Sequence, residues 1–140
     1  MTQHEIPYSI GIIMDGNRRW AKKRGLPTLE GHRKGYDKLT EVLEWGREAG
    51  IKELTVFAFS TENWNRTQEE VSYLMDLFRT MIVTVERDAL AHDTRLIFIG
   101  ERSRFSSDIV AAIEHAEEAT AQCSSFRFGI ALSYGGRAEI

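Results

Sequence analysis

Ser-Ile-Gly-Ile-Ile-Met-Asp-Gly-Asn-Arg-Arg, residues 9–19, places a short apolar run directly before a glycine-containing turn and a pair of arginines. The run Ser9–Met14 is typical of a buried strand, and Asp15–Asn17 is typical of a tight turn. Arg18–Arg24 then predicts a short basic helix, which the glycine and the proline that follow it end. This stretch decides the fold class, because a strand that leads through a tight turn into a helix begins a strand–helix–strand unit.

The rest of the chain continues this alternation of strands and helices. A periodic apolar face predicts a helix over Gly31–Ala49, and Leu54–Phe59 predicts a second strand. Thr67–Glu70 is typical of a capping box that starts a third helix. Two more strands are predicted at Leu96–Ile99 and Phe126–Leu132, and one more helix is predicted at Ile109–Ala116. We therefore expect one α/β domain over residues 1–140, with a mostly parallel central sheet and helices on both faces.

The composition is that of a soluble globular protein. Of the 140 residues, 42% are hydrophobic and 28% are charged, which excludes a disordered chain. No apolar run reaches the roughly 18 residues that a membrane-spanning helix needs, and the first residues lack a signal-peptide pattern, so we expect a cytoplasmic location. The lone Cys123 excludes an internal disulfide bond and a cysteine-based zinc site.

Positive charge is concentrated near the start of the chain. Residues 1–36 carry seven Lys or Arg against three Asp or Glu, whereas the whole chain has a net charge of −3. This distribution favours a local anion site over a broad nucleic-acid surface. A basic module over Arg18–Arg24 that binds nucleic acid or an anionic membrane is the weaker alternative.

The turn at Asp15–Asn17 is the first candidate site, because ligands of parallel sheets bind beyond the carboxyl ends of the strands. Free N–H groups at a helix N-terminus attract phosphate, and Arg18 or Arg19 can bind its oxygens. Asp15 alone would repel phosphate, so an aspartate there suggests a bridging Mg²⁺ ion. The alternative is that Asp15 only caps the helix and that both arginines are solvated.

The polar segment Ser60–Arg66, which follows the second strand, is the second candidate site. Asn63 and Asn65 could orient a substrate, and Arg66 could reach the anion bound by the first site. The alternative is an ordinary turn whose Trp64 packs on the core.

Single residues outside these segments complete the candidates. His32 could donate a proton or a hydrogen bond to phosphate, or it could be a surface histidine. Glu70 is explained by the capping box and needs no catalytic role. The apolar stripe of the third helix forms core or, together with Ala58, the wall of an apolar tunnel. The other histidines, His4, His92 and His115, lack metal-ligand spacing and are predicted to lie on the surface. Cys123 is predicted to be partly buried.

Four motifs occur in order along the chain: IMDGNRRWA at Ile13–Ala21, GHRKG at Gly31–Gly35, FSTENWNR at Phe59–Arg66 and YGGR at Tyr134–Arg137. Together they resemble the cis-prenyltransferase family, of which undecaprenyl diphosphate synthase is the bacterial type. The resemblance implies Mg²⁺-dependent condensation of isopentenyl diphosphate onto an allylic diphosphate, commonly farnesyl diphosphate, to make a polyprenyl diphosphate that carries cell-wall precursors. It also implies a homodimer, with peripheral membrane contact through the lipid product and no nucleic-acid partner.

The resemblance also implies a role for each matching position. Asp15, Asn17 and Asn63 match the catalytic positions, and Asp15 also matches the residue that handles Mg²⁺. Ala58 matches a small residue of the tunnel that holds the growing chain. Substrate contacts are implied for Gly16, Asn17, Arg18, Arg19, Trp20, His32, Ser60, Thr61, Glu62, Asn63, Trp64 and Arg66. Of these, Ser60, Asn63 and Trp64 match a flexible segment that positions the substrates.

Two departures from the family pattern narrow the expectation. Thr28 stands near the place where many members have an arginine that contacts the diphosphate. The family's C-terminal motif, R-x-S-G-E-x-R-x-S-x-F, is missing from these residues. We therefore expect the N-terminal portion of a longer enzyme, which holds the allylic diphosphate site only. The alternatives are a non-catalytic partner subunit of a prenyltransferase and an inactive remnant.

Overall fold

The computed structural model describes residues 4–140, so the signal-peptide prediction falls partly on residues 1–3, which lie outside the described residues. In chain order the elements are β1 (Ser9–Ile13), α1 (Asn17–Lys23), α2 (Thr28–Ala49), β2 (Glu53–Ser60), a 3₁₀ helix (Thr61–Asn65), α3 (Gln68–Ala91), β3 (Thr94–Ile99), α4 (Ser107–Ala119), β4 (Phe126–Tyr134) and α5 (Gly136–Glu139). Helix α2 begins at Thr28 rather than at the predicted Gly31, because Pro27 directly precedes its first turn and ends the connection from α1.

The four strands form one sheet in the order β1-β2-β4-β3, and every neighbouring pair is parallel. This confirms the predicted α/β class with a parallel central sheet. Ile13 at the end of β1 pairs with Phe57 near the end of β2. The two candidate segments, which follow these two strands, therefore begin at the same edge of the sheet.

The core lies between the sheet and the long helices. Ile12, Val56 and Ile130 occupy paired positions on three strands and so share one face of the sheet. Val56 and Ile130 are fully buried. They belong to one apolar cluster to which α2, α3 and α4 contribute pairs of side chains: Leu39 and Leu43, Phe78 and Ile82, and Ile109 and Ile113.

The C-terminal end of α4 covers the free edge of β3. The Thr120 hydroxyl accepts a hydrogen bond from the Leu96 N–H at 3.0 Å, and the Glu117 carboxylate accepts one from the Phe98 N–H at 3.2 Å. Side chains thus satisfy the N–H groups that an edge strand would otherwise expose.

The predictions for isolated side chains agree with this fold. His4, His92 and His115 are exposed, and Cys123 is partly buried. Burial and the neighbouring Asp93 carboxylate raise the pKa of the Cys123 thiol, which disfavours the reactive thiolate. Within residues 4–140, no helix combines the length and the apolar character that crossing a membrane requires.

Candidate functional site

A cavity of about 600 Å³ opens at the carboxyl ends of β1 and β2, and α1, α2 and α3 form its other walls. Its lining divides into two chemical groups. The polar side chains are Asp15, Asn17, Arg18, Arg19, Lys22, Thr28, His32, Tyr36, Asn63 and Arg66. The apolar side chains include Leu39, Ala58, Phe59, Leu74, Phe78 and Met81, all of which are almost fully buried except the partly buried Ala58. Because Asp15, Arg18 and Arg19 are largely exposed whereas the apolar group is buried, the cavity has a polar mouth and an apolar interior.

The turn between β1 and α1 forms one side of the mouth. Gly16 precedes α1 with φ +88°, a left-handed conformation that glycine adopts without strain. Asp15 is not the cap of α1, because its Oδ1 accepts the N–H of Gly16 at 2.7 Å and no side chain caps the helix. Its Oδ2 accepts a hydrogen bond from Arg19 Nη2 at 3.3 Å. The alternative is therefore wrong about Asp15 as a helix cap, whereas Arg18 and Arg19 are largely exposed, as it expected.

Asp15 is the acidic side chain of the mouth that could hold a metal ion. The residues from 4 to 140 contain no group of three or more His, Cys, Asp or Glu arranged to enclose a cation. Mg²⁺, however, is commonly bound through one or two carboxylates, several waters and the phosphates of a ligand. A single exposed carboxylate beside several cations fits an ion shared between the protein and a phosphorylated ligand, and it does not fit a permanent structural metal.

Glu70 is the centre of a cluster that the sequence analysis did not predict. His32 Nε2 donates to Glu70 Oε1 at 2.9 Å, and Arg66 Nη1 donates to the same oxygen at 3.0 Å. Arg18 Nε lies 3.7 Å from it. The Glu70 N–H does donate to the Thr67 hydroxyl, but the Glu70 side chain turns away from Thr67 toward this cluster. Half of the predicted capping box is therefore present, and the prediction that capping explains Glu70 is wrong.

The charges around Glu70 favour its ionised form. Burial alone would raise the pKa of this carboxyl, but the hydrogen bond from His32 and the positive charges of Arg66 and Arg18 outweigh burial and lower the pKa from its ordinary value of 4.5. Glu70 thus stays negatively charged and can hold three positively charged or donor side chains in fixed positions. His32 is about 10% exposed, so the alternative of a surface histidine is wrong.

This lowered pKa predicts an acid-dependent loss of stability. Folded Glu70 binds its proton less tightly than unfolded Glu70, so ionisation stabilises the fold above pH 4.5, and that stabilisation is lost as the pH falls through the lowered pKa. We expect the free energy of unfolding of the wild type to exceed that of Glu70→Gln at neutral pH, and the difference to shrink below pH 4.5. Urea denaturation of both proteins across this pH range measures it, and a difference that is independent of pH would contradict the assignment.

The second candidate segment is stabilised by hydrogen bonds between its own residues and by packing on the core. The Ser60 hydroxyl accepts the N–H of Asn63 at 3.2 Å, and Asn63 Oδ1 accepts the N–H of Ser60 at 2.9 Å, which is a reciprocal capping box on the 3₁₀ helix. Trp64 Nε1 donates to the Ser133 hydroxyl at 2.9 Å, and the indole packs edge-on against Phe59 and Phe105. Trp64 thus packs on the core, as the alternative interpretation of this segment expected.

The structure brings only some of the predicted site residues together. Those that line the cavity are Asp15, Gly16, Asn17, Arg18, Arg19, His32, Asn63 and Arg66. Those that do not line it are Trp20, Ser60, Thr61, Glu62 and Trp64. Trp20 instead lies beneath the Arg24 guanidinium, 4.3 Å from the ring centroid. Ala58 lines the cavity as predicted, and so does Thr28.

The sequence analysis missed Lys22 and Tyr36, which line the cavity, and Glu70, which does not line it but accepts hydrogen bonds from two residues that do, His32 and Arg66. Glu70 was hidden by its match to a capping box, and Lys22 by its place in a run of exposed basic residues. Tyr36 lies one helical turn after His32 on α2 and lines the same cavity. The spacing of His32, Tyr36 and Leu39 follows one helical face, which was the available signal.

Comparison with known proteins identifies relatives of this chain. Residues 13–140 match the prenyltransferase family model, which carries the description undecaprenyl diphosphate synthase. An isoprenyl transferase from Neisseria gonorrhoeae is 46% identical over 135 residues, which cover 96% of this chain and 54% of that protein. The ditrans,polycis-undecaprenyl-diphosphate synthase of Pseudomonas aeruginosa, specific for (2E,6E)-farnesyl diphosphate, is also 46% identical over the same shares of the two chains.

A solved structure shows the same fold. Lavandulyl diphosphate synthase from Lavandula x intermedia, in complex with dimethylallyl diphosphate, superposes with a TM-score of 0.91 and 32% sequence identity. The match covers 95% of this chain and 57% of that one. The present chain spans about half the length of the relatives that it matches.

Proposed function

Because this chain belongs to the undecaprenyl diphosphate synthase family of prenyltransferases, we propose that its cavity binds an allylic diphosphate such as farnesyl diphosphate. One observation carries the proposal: the cavity joins a cationic mouth to a buried apolar interior. An allylic diphosphate has the same division, since a dianionic or trianionic head is attached to a hydrocarbon tail. The cavity volume of about 600 Å³ lies within the range typical of small-ligand sites.

The mouth is suited to the diphosphate head. Arg18, Arg19 and Arg66 offer planar guanidinium groups that match phosphate oxygens, and the nearly buried His32, whose Nε2 donates to Glu70, lines the same cavity. Asp15 would hold Mg²⁺ together with the diphosphate oxygens, and the bound ion would neutralise charge on the departing pyrophosphate. Without that ion, the exposed Asp15 carboxylate would repel the ligand.

The interior is suited to the prenyl tail. Leu74, Phe78 and Met81 line it from α3, Leu39 from α2 and Ala58 from β2. Each buried CH₂ of a ligand contributes about 0.8 kcal/mol, so even part of a prenyl chain adds substantially to binding. Ala58 has the smallest side chain of these five, so it leaves the most space beside β2.

For the whole protein we propose the family reaction. The allylic carbon–oxygen bond breaks, and pyrophosphate leaves with the bonding electron pair. The double bond of isopentenyl diphosphate supplies the electrons of the new carbon–carbon bond. The resulting adduct then loses a proton, which forms the new double bond. The residues at the mouth serve this reaction by binding the leaving group and compensating its charge where the charge develops. The proposed share of this chain is the allylic diphosphate site.

Binding measurements on the full-length protein test the proposal. In Mg²⁺ buffer we expect farnesyl diphosphate to bind at least tenfold more tightly than inorganic pyrophosphate, because only the former fills the apolar interior. Ala58→Leu should weaken farnesyl diphosphate binding about tenfold while leaving pyrophosphate binding unchanged. Ala111→Leu, the same change at an exposed position of α4, is the control. Equal affinity for the two ligands, or equal effects of the two variants, would contradict the proposal.

A further inference from the structure

Helix α1 depends on α2 for its position. It has seven residues, and a helix this short is not stable in isolation. Ala21 on its inner side is fully buried. Arg18 and Arg19 extend from the same short helix into the cavity. Whatever fixes the distance between α1 and α2 therefore also places these arginines.

Gly31 allows the backbone of α1 to approach α2 closely. A Cβ at Gly31 would collide with the carbonyl oxygen of Asn17 and would lie 3.2 Å from the Cβ of Ala21. Gly31 lies within α2 and has ordinary helical backbone, so its conformation does not require glycine. The requirement is for space.

Gly35 receives the side chain of Asn17 one turn further along α2. A Cβ at Gly35 would lie 2.6 Å from Nδ2, 2.8 Å from Oδ1 and 2.9 Å from Cγ of Asn17. Asn17 lines the cavity described above, and together with Gly35 it also lines a second cavity of about 450 Å³. Asn17 therefore borders both cavities, and the absence of a Cβ at Gly35 leaves the space that its side chain occupies.

We propose that Gly31 and Gly35 are positioning residues for the diphosphate site, because they form a groove on α2 that fixes the backbone and the side chain of Asn17. Two glycines in the interior of one helix weaken it relative to alanine, and the close approach of Asn17 explains why both positions lack a side chain. The inference rests on the proposed function for the identity of the ligand, but not for the packing of Asn17.

A ligand-independent measurement tests the packing. In the full-length protein, the side-chain amide signal of Asn17 can be assigned in the NMR spectrum by its loss in Asn17→Ala. We expect Gly35→Ala to shift this signal and Gly46→Ala to leave it in place. Gly46 lies on the same helix, but a Cβ there would meet only Phe126 at an ordinary 3.8 Å. An unchanged Asn17 signal in Gly35→Ala overturns the proposal, whether or not the protein binds a diphosphate.

A double-mutant cycle tests the link to the ligand. We expect Gly35→Ala to raise the Kd for farnesyl diphosphate about tenfold in the wild type and less than twofold in the Asn17→Ala background, where the obstructed atoms are absent. Gly31→Ala should lower the melting temperature, and Asn17→Ala should not rescue it, because the collision is with the backbone. Losses from Gly35→Ala that are equal in both backgrounds would overturn the proposal. If the wild type fails to bind farnesyl diphosphate while Gly35→Ala still shifts the Asn17 signal, the proposed function fails and the packing of Asn17 stands.

Discussion

Replacing Asp15 by alanine in the full-length protein is expected to lower kcat/KM for isopentenyl incorporation about a thousandfold, or by about 4 kcal/mol of transition-state stabilisation. Asp15 is the carboxylate at the cationic mouth that fits a shared Mg²⁺ ion, and no enclosing cluster of metal ligands exists within residues 4–140 to replace it. Its carboxylate also accepts the Gly16 N–H and pairs with Arg19. Alanine would therefore remove both the proposed protein ligand of the ion and a partner that orients Arg19.

The control for this substitution is Asp37→Ala. Asp37 is an exposed carboxylate of α2 that does not line the cavity, so its removal should leave kcat/KM within about twofold. Steady-state assays at several Mg²⁺ concentrations should show that Asp15→Ala loses its dependence on Mg²⁺, whereas Asp37→Ala retains it. Turnover by Asp15→Ala at the wild-type rate would refute the role of Asp15.

The features that local sequence predicts are those formed by neighbouring residues. The strand–turn–helix at residues 9–24 and the apolar stripe of α3 are local patterns, so the fold class follows from them. The cluster of Asp15, Gly16 and Arg19 is likewise contiguous. The order in which β4 inserts between β2 and β3 depends on long-range packing that no local pattern records.

The parts of the site that were missed depend on residues far apart in sequence. Glu70 and His32 are separated by 38 positions, and a match to a capping box gives no reason to look for such a partner.

The segment Ser60–Arg66 is rich in polar groups, but several of them satisfy each other in the reciprocal cap. Trp64 is removed from the cavity by its hydrogen bond to Ser133, 69 positions away. A polar residue in a loop can therefore either contact a ligand or hydrogen-bond to another part of the protein. Its partners in the folded structure show which of the two it does.

The Glu70 cluster leads to a prediction in which charge and position can be separated. Glu70→Ala removes the shared acceptor of His32, Arg66 and Arg18, and each side chain that must then be ordered by the ligand costs about 0.5–1.5 kcal/mol. Loss of a negative charge near the mouth opposes this by favouring an anion. We expect the ordering cost to win, so that the Kd for farnesyl diphosphate rises about tenfold, or by about 1.4 kcal/mol.

Glu70→Gln should behave differently, because an amide oxygen can still accept hydrogen bonds while the charge is gone. Its Kd is expected to stay within about threefold of the wild-type value or to fall. Thr67→Ala is the matched control for stability, since it removes the hydroxyl that caps the same helical turn and should cost about 1 kcal/mol without touching the cluster. Calorimetric titration of the three variants distinguishes the possibilities. If Glu70→Gln binds farnesyl diphosphate as weakly as Glu70→Ala, the affinity depends on the charge of Glu70 rather than on its hydrogen-bond acceptor. If Thr67→Ala also binds weakly, the affinity depends on the start of α3 rather than on the Glu70 cluster.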